Sequence, residues 1–115
     1  IALPDALRSA LLQFNTFPLE EAAIHRQRMS LILGNAALQS YSMVMYEGWR
    51  AVIADYVAAR TNCAPTDHLP RTVGWILLGI AISAYEQWLA DDESSLVQLL
   101  HDGTSILDGG LDGQP

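Results

Sequence analysis

The chain has 115 residues, 13 of them acidic against 6 arginines and no lysine, for a formal charge of −7. That length allows one domain, burying about two-thirds of the surface its unfolded chain exposes, and an apolar fraction of 50% supplies a core. A polyanion-binding surface needs clustered cations, whereas Arg8, Arg26, Arg28, Arg50, Arg60 and Arg71 are scattered, so this chain on its own is not expected to bind nucleic acid.

Helical periodicity runs through the sequence and alternating strand patterns are absent. The first helix is expected over about 5–15, with Asp5 as its cap and Ala6, Leu7, Ala10, Leu11 and Phe14 as one apolar stripe. Asn15-Thr16-Phe17-Pro18 breaks it. Pro18 suits the first turn of a second helix, where Glu20 and Glu21 meet the positive end of the dipole, and that helix extends to about Leu33. Gly34-Asn35 stops it and caps a long third helix, about 36–61, in which Leu38, Tyr41, Met45, Trp49, Val52, Tyr56 and Ala59 recur on one face. Thr61-Asn62-Cys63-Ala64-Pro65 ends that helix. A fourth runs from Thr66 or Asp67 to about Ala90, Asp91-Asp92-Glu93 turns the chain, and a fifth covers about 93–108 before Gly109-Gly110. Its apolar face is Leu96, Leu99, Leu100, Gly103, Ile106 and Leu107. Five helices with short connections make an all-α bundle.

Cys63 is the single cysteine, so no internal disulfide forms, which fits a reducing compartment. The sequence has no signal-peptide pattern, and its longest uncharged apolar run is shorter than the roughly 20 residues a bilayer requires. A soluble cytoplasmic protein with no membrane partner is expected. The chain opens on Ile1 rather than Met, which suggests a fragment with residues missing upstream.

The stretch TVGWILLGIAISAYEQW, residues 72–88, carries no charge from Thr72 to Tyr85. At 100° per residue one face holds Val73, Leu77, Ile80, Ala84 and Trp88. A second, nearly opposite, holds Trp75, Leu78, Ile82, Tyr85 and Leu89, with a narrow sector of Gly79, Ser83, Gln87 and Ala90 between them. A helix apolar all round is buried all round. The three preceding helices can cover the first face, but so small a domain has little left for the second. Each large side chain left in water forgoes ~1.5–3 kcal/mol, and several of them rival the ~5–15 kcal/mol that holds a domain together. The sequence thus points to a second copy of the chain, with Trp75, Leu78, Ile82, Tyr85 and Leu89 joined by Leu96, Leu100 and Leu107 of the fifth helix in a four-helix dimer interface. The competing arrangement is a core helix sandwiched within one subunit.

The segment PLEEAAIHRQRMSLILGNAALQSYSMVMYEGWRAVIADYVAARTN, residues 18–62, resembles the regulatory domain of tetracycline-repressor-family (TetR) transcription factors. The resemblance lies in the Pro-Leu-Glu-Glu helix start, the R-x-R of Arg26 and Arg28, the break GNAAL, the long helix with Trp49 and its A-x-R-T end. It continues through AYEQWLADD and LLHDGTSILDGGL and covers essentially the whole chain. The subtype it resembles is the carboxy-terminal domain of mycofactocin-system regulators. The resemblance implies an amino-terminal helix-turn-helix domain for operator DNA, which this chain lacks, and homodimerisation through the last two helices. It also implies a pocket for a small hydrophobic effector, in some relatives an acyl-CoA thioester.

Tyr41, Met45 and Trp49, spaced i, i+4, i+8, with Tyr56 further on, are the candidate pocket wall. Aromatic rings give broad apolar area with a polar tip, and Met adapts to irregular shapes. Phe14 and Phe17 are placed to close one end. The same stripe also reads as plain core. Arg26 shares an azimuth of the second helix with Leu19, Ala22, Met29 and Leu33, and Arg26, Met29 and Leu33 are that helix's candidate ligand contacts. A guanidinium there either anchors an anionic ligand group, pairs with Asp55 or Glu47, or extends its head to water. Glu21 and His25, i and i+4, give only two metal ligands and read as an exposed polar pair. His68 and His101 read as solvent-facing and Cys63 as a passive thiol. No hydrolase, zincin, Walker or dinucleotide motif is present, so neither an enzyme nor a cofactor is expected. The other reading is a helical protein–protein interaction module with a filled core and no ligand.

Overall fold

The computed structural model describes residues 2–108, which form five α-helices and no strand. These are α1 (Leu3–Phe14), α2 (Ala22–Gly34), α3 (Ala36–Thr61), α4 (His68–Ala90) and α5 (Leu96–Ser105). The all-α, five-helix architecture expected from the sequence is the one observed. Gly109-Gly110, expected to terminate the last helix, lies outside the described residues.

Local chemistry sets the helix ends. Asp5 sits inside the first turn of α1 rather than capping it, because Pro4 takes the first turn and Ala2 stands at the cap. A 3₁₀ turn over Leu19–Glu21 precedes α2, so the helix proper begins four residues after Pro18. Asn35 caps α3, its side chain accepting from the Leu38 amide at 3.0 Å. Asn62 ends that helix in the left-handed region at φ 58°, a conformation Asn tolerates better than most residues. Ser95 caps α5 by accepting from the Gln98 amide, which places its start later than the Asp-rich turn suggested. A second 3₁₀ turn, Ile106–Asp108, follows.

α4 is the axis of the bundle and packs on α2, α3 and α5. Leu7, Ile53, Val57 and Leu77 form one core cluster. A second joins Leu11, Met29, Ala84, Tyr85, Trp88, Leu96 and Leu100. Trp49 and Ile80 pack against both. α1 docks on α5 through Arg8, whose Nε donates to Thr104 Oγ1 at 2.9 Å and whose guanidinium also pairs with Asp108. Two glycines let α4 approach its neighbours. A Cβ on Gly74 would lie 3.1 Å from the Arg50 carbonyl oxygen, and one on Gly103 would lie 2.7 Å from Ile80 Cγ2.

This packing corrects the expected outward face of α4. Leu78 and Tyr85 are buried within the single chain, and so are Leu96 and Leu100 of α5. Leu107 packs on the Leu7–Leu77 cluster and Leu89 on the other. The reason is that His25 of α2 and Asn15 of the 15–18 loop cover the Tyr85 end of that azimuth, while Leu78 and Ile82 line the space left between α2, α3 and α4. The exposed strip is instead the small-residue sector of Gly79, Ser83, Gln87 and Ala90, flanked by Ile76 and Trp75. Trp75 is 48% exposed and carries the Arg50 guanidinium 3.7 Å above its ring. By length and composition α4, 23 residues long, would also suffice to cross a bilayer. The helix includes Arg71 and Glu86, so its uncharged run stays short of a span, and here its Leu77, Leu78, Tyr85 and Trp88 are packed as in a core helix.

The two kinds of glycine respond oppositely to a methyl group. Gly48, on the exposed side of α3, has nothing within 4 Å of the position a Cβ would take, so Gly48→Ala is expected to raise stability by about 0.5–1 kcal/mol through helix propensity. Gly103→Ala forces Ile80 aside and is expected to cost about 1–3 kcal/mol. Urea denaturation of the two variants checks the opposite signs.

Candidate functional site

A cavity of about 600 Å³ opens between the end of α1, the 15–18 loop, α2, the middle of α3 and α4. Its volume is in the range of small-molecule sites. Phe14, Phe17, Ile24, Met29, Trp49, Leu78, Ala81 and Ile82 make most of the wall. Phe14 meets Trp49 edge to face, with ring centroids 6.3 Å apart, so the last turn of α1 is tied to α3 across one end of the cavity. Asn15, Thr16, Glu21, His25, Arg28, Tyr46 and Tyr85 supply the polar part of the lining.

The polar groups at one pole are ordered. Asn15 Nδ2 donates to the Leu11 carbonyl at 2.8 Å, the Tyr85 hydroxyl donates to Asn15 Oδ1 at 2.7 Å, and His25 Nε2 lies 2.8 Å from the Tyr85 oxygen. One side chain from each of α2 and α4 and one from the loop after α1 are thereby linked. Around them the Phe17 and His25 rings meet at a tilt with centroids 4.5 Å apart, and Trp88 contacts Phe17, His25 and Tyr85. Burial, with the Arg28 charge adding to it, lowers the His25 pKa below its ordinary value. Burial pushes the Tyr85 hydroxyl up to about 12, with Tyr46 adding to the effect, and burial raises Tyr46 as well. The pole is therefore an uncharged hydrogen-bonding surface at neutral pH, with the Arg28 cation and the Glu21 carboxylate on its rim.

Of the residues expected to bind a ligand, Phe14, Phe17, Met29 and Trp49 line this cavity. Leu33 packs beside it in the core. Tyr41, Met45 and Tyr56 are corrected: they are exposed on the far side of α3, which turns Tyr46, Trp49, Ile53 and Val57 inward instead. Tyr56 accepts a hydrogen bond from Arg60 there. Arg26 is corrected too. Its Nη1 donates to the Trp88 carbonyl at 2.7 Å and meets Asp92 at 3.3 Å, and its guanidinium lies 4.3 Å over the Trp88 ring. It closes the carboxy-terminal end of α4, where a cation is favoured, and its acidic partner is neither Asp55 nor Glu47. Sequence reasoning missed Asn15, Arg28 and Tyr46 and took His25 for an exposed residue. Leu78, Ile82 and Tyr85 are pocket wall rather than a free outer face. A usable signal was present: a tyrosine within an uncharged helix needs a partner for its hydroxyl. Among the described residues, no three His, Cys, Asp or Glu side chains are grouped to hold a metal ion.

The lowered His25 pKa fixes a pH dependence. An unfolded His titrates near 6.5 and the folded one below that, so between the two values the unfolded chain binds more protons. The stability that neutral His25 contributes is complete above pH 6.5 and declines as pH falls toward the lowered value. The fall in melting temperature between about pH 7.5 and about pH 5.5 is expected to be larger for the wild type than for His25→Gln, the exposed His68 and His101 cancelling in the comparison.

A family model described as the MftR C-terminal domain matches residues 1–112. The chain is 52% identical over 112 residues to a candidate mycofactocin biosynthesis transcriptional regulator, MftR, of Mycobacterium tuberculosis. That match takes in 97% of this chain and 57% of the relative, so the chain spans little more than half of the relative's length. By fold and by match along nearly its whole length, the chain belongs to the MftR C-terminal-domain family of TetR-type transcriptional regulators.

Proposed function

We propose that this chain is the effector-sensing and homodimerisation domain of a TetR-type regulator of mycofactocin biosynthesis, acting on operator DNA through an amino-terminal reader outside the chain. The reading draws on the relative's description as a transcriptional regulator and on the 43% of that relative left unmatched, 100 less 57. It makes the chain a regulatory rather than catalytic protein, working in the cytoplasm where operator DNA is. The observation that carries it is the cavity itself: about 600 Å³ with mostly apolar walls and one hydrogen-bonding pole, which suits a small hydrophobic or acyl-type effector. Four of its lining residues, Leu78, Ala81, Ile82 and Tyr85, belong to α4. The opposite side of that helix is the exposed strip of Ile76, Gly79 and Ser83, which is the surface we assign to the partner subunit in place of the buried face. A ligand that fits one arrangement of α4 better than another shifts the population of dimers by that difference in affinity.

Two measurements check the reading. In a thermal-shift screen of medium-chain alcohols, acids and acyl thioesters, a ligand present at about 100 times its Kd contributes about 2.7 kcal/mol and raises the melting temperature by several degrees. Ala81→Trp, which fills the cavity, abolishes that shift. A broad panel without effect on the wild type favours a ligand-free interaction module instead. In sedimentation, the wild type is expected to be a dimer and Gly79→Arg a monomer of unchanged helix content; a monomeric wild type at tens of micromolar removes the assembly.

A further inference from the structure

The polar chain at the pole of the cavity has only one self-consistent direction. The Leu11 carbonyl accepts and cannot donate, so Asn15 must turn Nδ2 toward it, at 2.8 Å. Asn15 Oδ1, an acceptor only, then faces Tyr85 at 2.7 Å and takes the hydroxyl proton. The Tyr85 oxygen, with its proton committed, can only accept from His25 Nε2 at 2.8 Å. His25 is therefore protonated at Nε2, and in the neutral ring its one remaining polar atom, Nδ1, is an acceptor. Among the described residues no buried side-chain nitrogen or oxygen lacks a hydrogen-bond partner. Nδ1 has no such partner and is therefore not fully buried, on a side chain that lines the cavity.

We propose that His25 is the specificity-determining residue of the cavity, offering Nδ1 as an acceptor to the O–H of an uncharged apolar alcohol, with Asn15 and Tyr85 as positioning residues that hold the required tautomer. This rests on the reading of the cavity as an effector site. The surroundings keep the imidazole neutral: Arg28 on its own helix sets a positive charge against a second proton, Tyr85 meets it from α4 as a neutral hydroxyl, Tyr46 of α3 lines the same cavity, and the 15–18 loop brings no charge. Glu21, one turn earlier, stands at the rim. An alcohol satisfies Nδ1. An ether of the same length leaves it desolvated and unpaired, and a carboxylate sets an acceptor against an acceptor.

The test uses the full chain and three probes of equal chain length, 1-octanol, methyl heptyl ether and octanoate, with binding measured by calorimetry at about pH 7.5. The wild type is expected to bind octanol roughly 3- to 10-fold more tightly than the ether, the range of one neutral hydrogen bond, and octanoate more weakly than octanol. In His25→Phe the alcohol-to-ether ratio falls to about one while both still bind. A ratio that is the same in both proteins, or a preference for octanoate, overturns the proposal and leaves the cavity an effector site. If none of the three binds the wild type, the effector-site reading fails and the proposal falls with it. Imidazole ¹⁵N resonances give a readout independent of any ligand and of the folding of the Phe variant. Nε2 is expected to be protonated and Nδ1 bare in the wild type, with the preference weakened in Tyr85→Phe. Protonation at Nδ1 in the neutral wild-type ring overturns the proposal.

Discussion

Between Arg71 and Glu86 α4 has no charged side chain, and a helix of that kind is stable in water only if other elements take up its surface. The rest of the fold answers that constraint azimuth by azimuth. α3 lies against Gly74 and Leu77, near enough that the Arg50 carbonyl would be 3.1 Å from a Cβ on Gly74. α5 lies against Ile80, Ala84 and Trp88, and Gly103 is the residue that permits its approach. α1 reaches both clusters through Leu7 and Leu11 and is fastened to α5 by the Arg8–Thr104 and Arg8–Asp108 contacts. α2 has the third side. It covers Tyr85 but stops short of Leu78 and Ile82 along the middle of α4, and the space left between α2, α3 and α4 is the cavity. The pocket is thus where the coverage of the central helix is incomplete.

The polar pole follows from the same constraint. Tyr85 is 6% exposed, and a buried hydroxyl without a partner costs about 1–3 kcal/mol. Its partners come from outside α4: Asn15, held by the Leu11 carbonyl at the frayed end of α1, and His25 on α2. The three side chains are thereby each other's support. Two residues further along the same loop, the Phe17 ring meets the imidazole at a tilt, with centroids 4.5 Å apart. An apolar residue at position 85 would pack as well but would leave the loop and α2 without a shared anchor. The hydrogen bonds contribute modest stability; their larger effect is to set the orientation of the groups that face the cavity.

The fold was legible because apolar period, caps and breakers agreed. Asn35 was readable as a cap and the α3 span was readable from Gly34-Asn35 and Asn62. The facing of the helices was not. On α3, Trp49 belongs to two adjacent stripes, one continuing through Tyr41, Met45 and Tyr56 and the other through Tyr46, Ile53 and Val57. Both carry large side chains, so composition does not choose between them; only the position of α4 does, and that is a long-range fact. On α4 the inference that a large apolar face needs outside cover failed for a related reason. The wheel counts side chains but not the loop between α1 and α2, and it is Asn15 of that loop, with His25 of α2, that meets Tyr85. The small-residue sector between the two apolar faces is the part left uncovered. Arg26 illustrates the limit for charges: its azimuth was right and its partners were not, because Trp88 and Asp92 come from 62 and 66 residues away.

The size of the switching energy says which part of the cavity must do the work. Moving a two-state equilibrium from about 1:99 to about 99:1 requires a ligand to prefer one state by about 5.5 kcal/mol. A single neutral hydrogen bond at His25 supplies about 0.5–1.5 kcal/mol even if it exists in one state alone, so the pole selects the ligand without being able to drive the change. Apolar surface at about 25 cal/mol per Å² supplies the remainder when about 160–200 Å² more is buried in one state than in the other. That difference is on the scale of one large aromatic side chain. In the proposed reading it arises when the wall formed by Leu78, Ala81 and Ile82 moves relative to α2 and α3, since those three residues project from the helix that also carries the exposed Gly79–Ser83 strip. Under the proposed effector reading, recognition and transmission divide along α4: the polar pole at Tyr85 would meet the ligand's head, and the apolar middle of the helix would turn the ligand's bulk into a shift of the opposite surface.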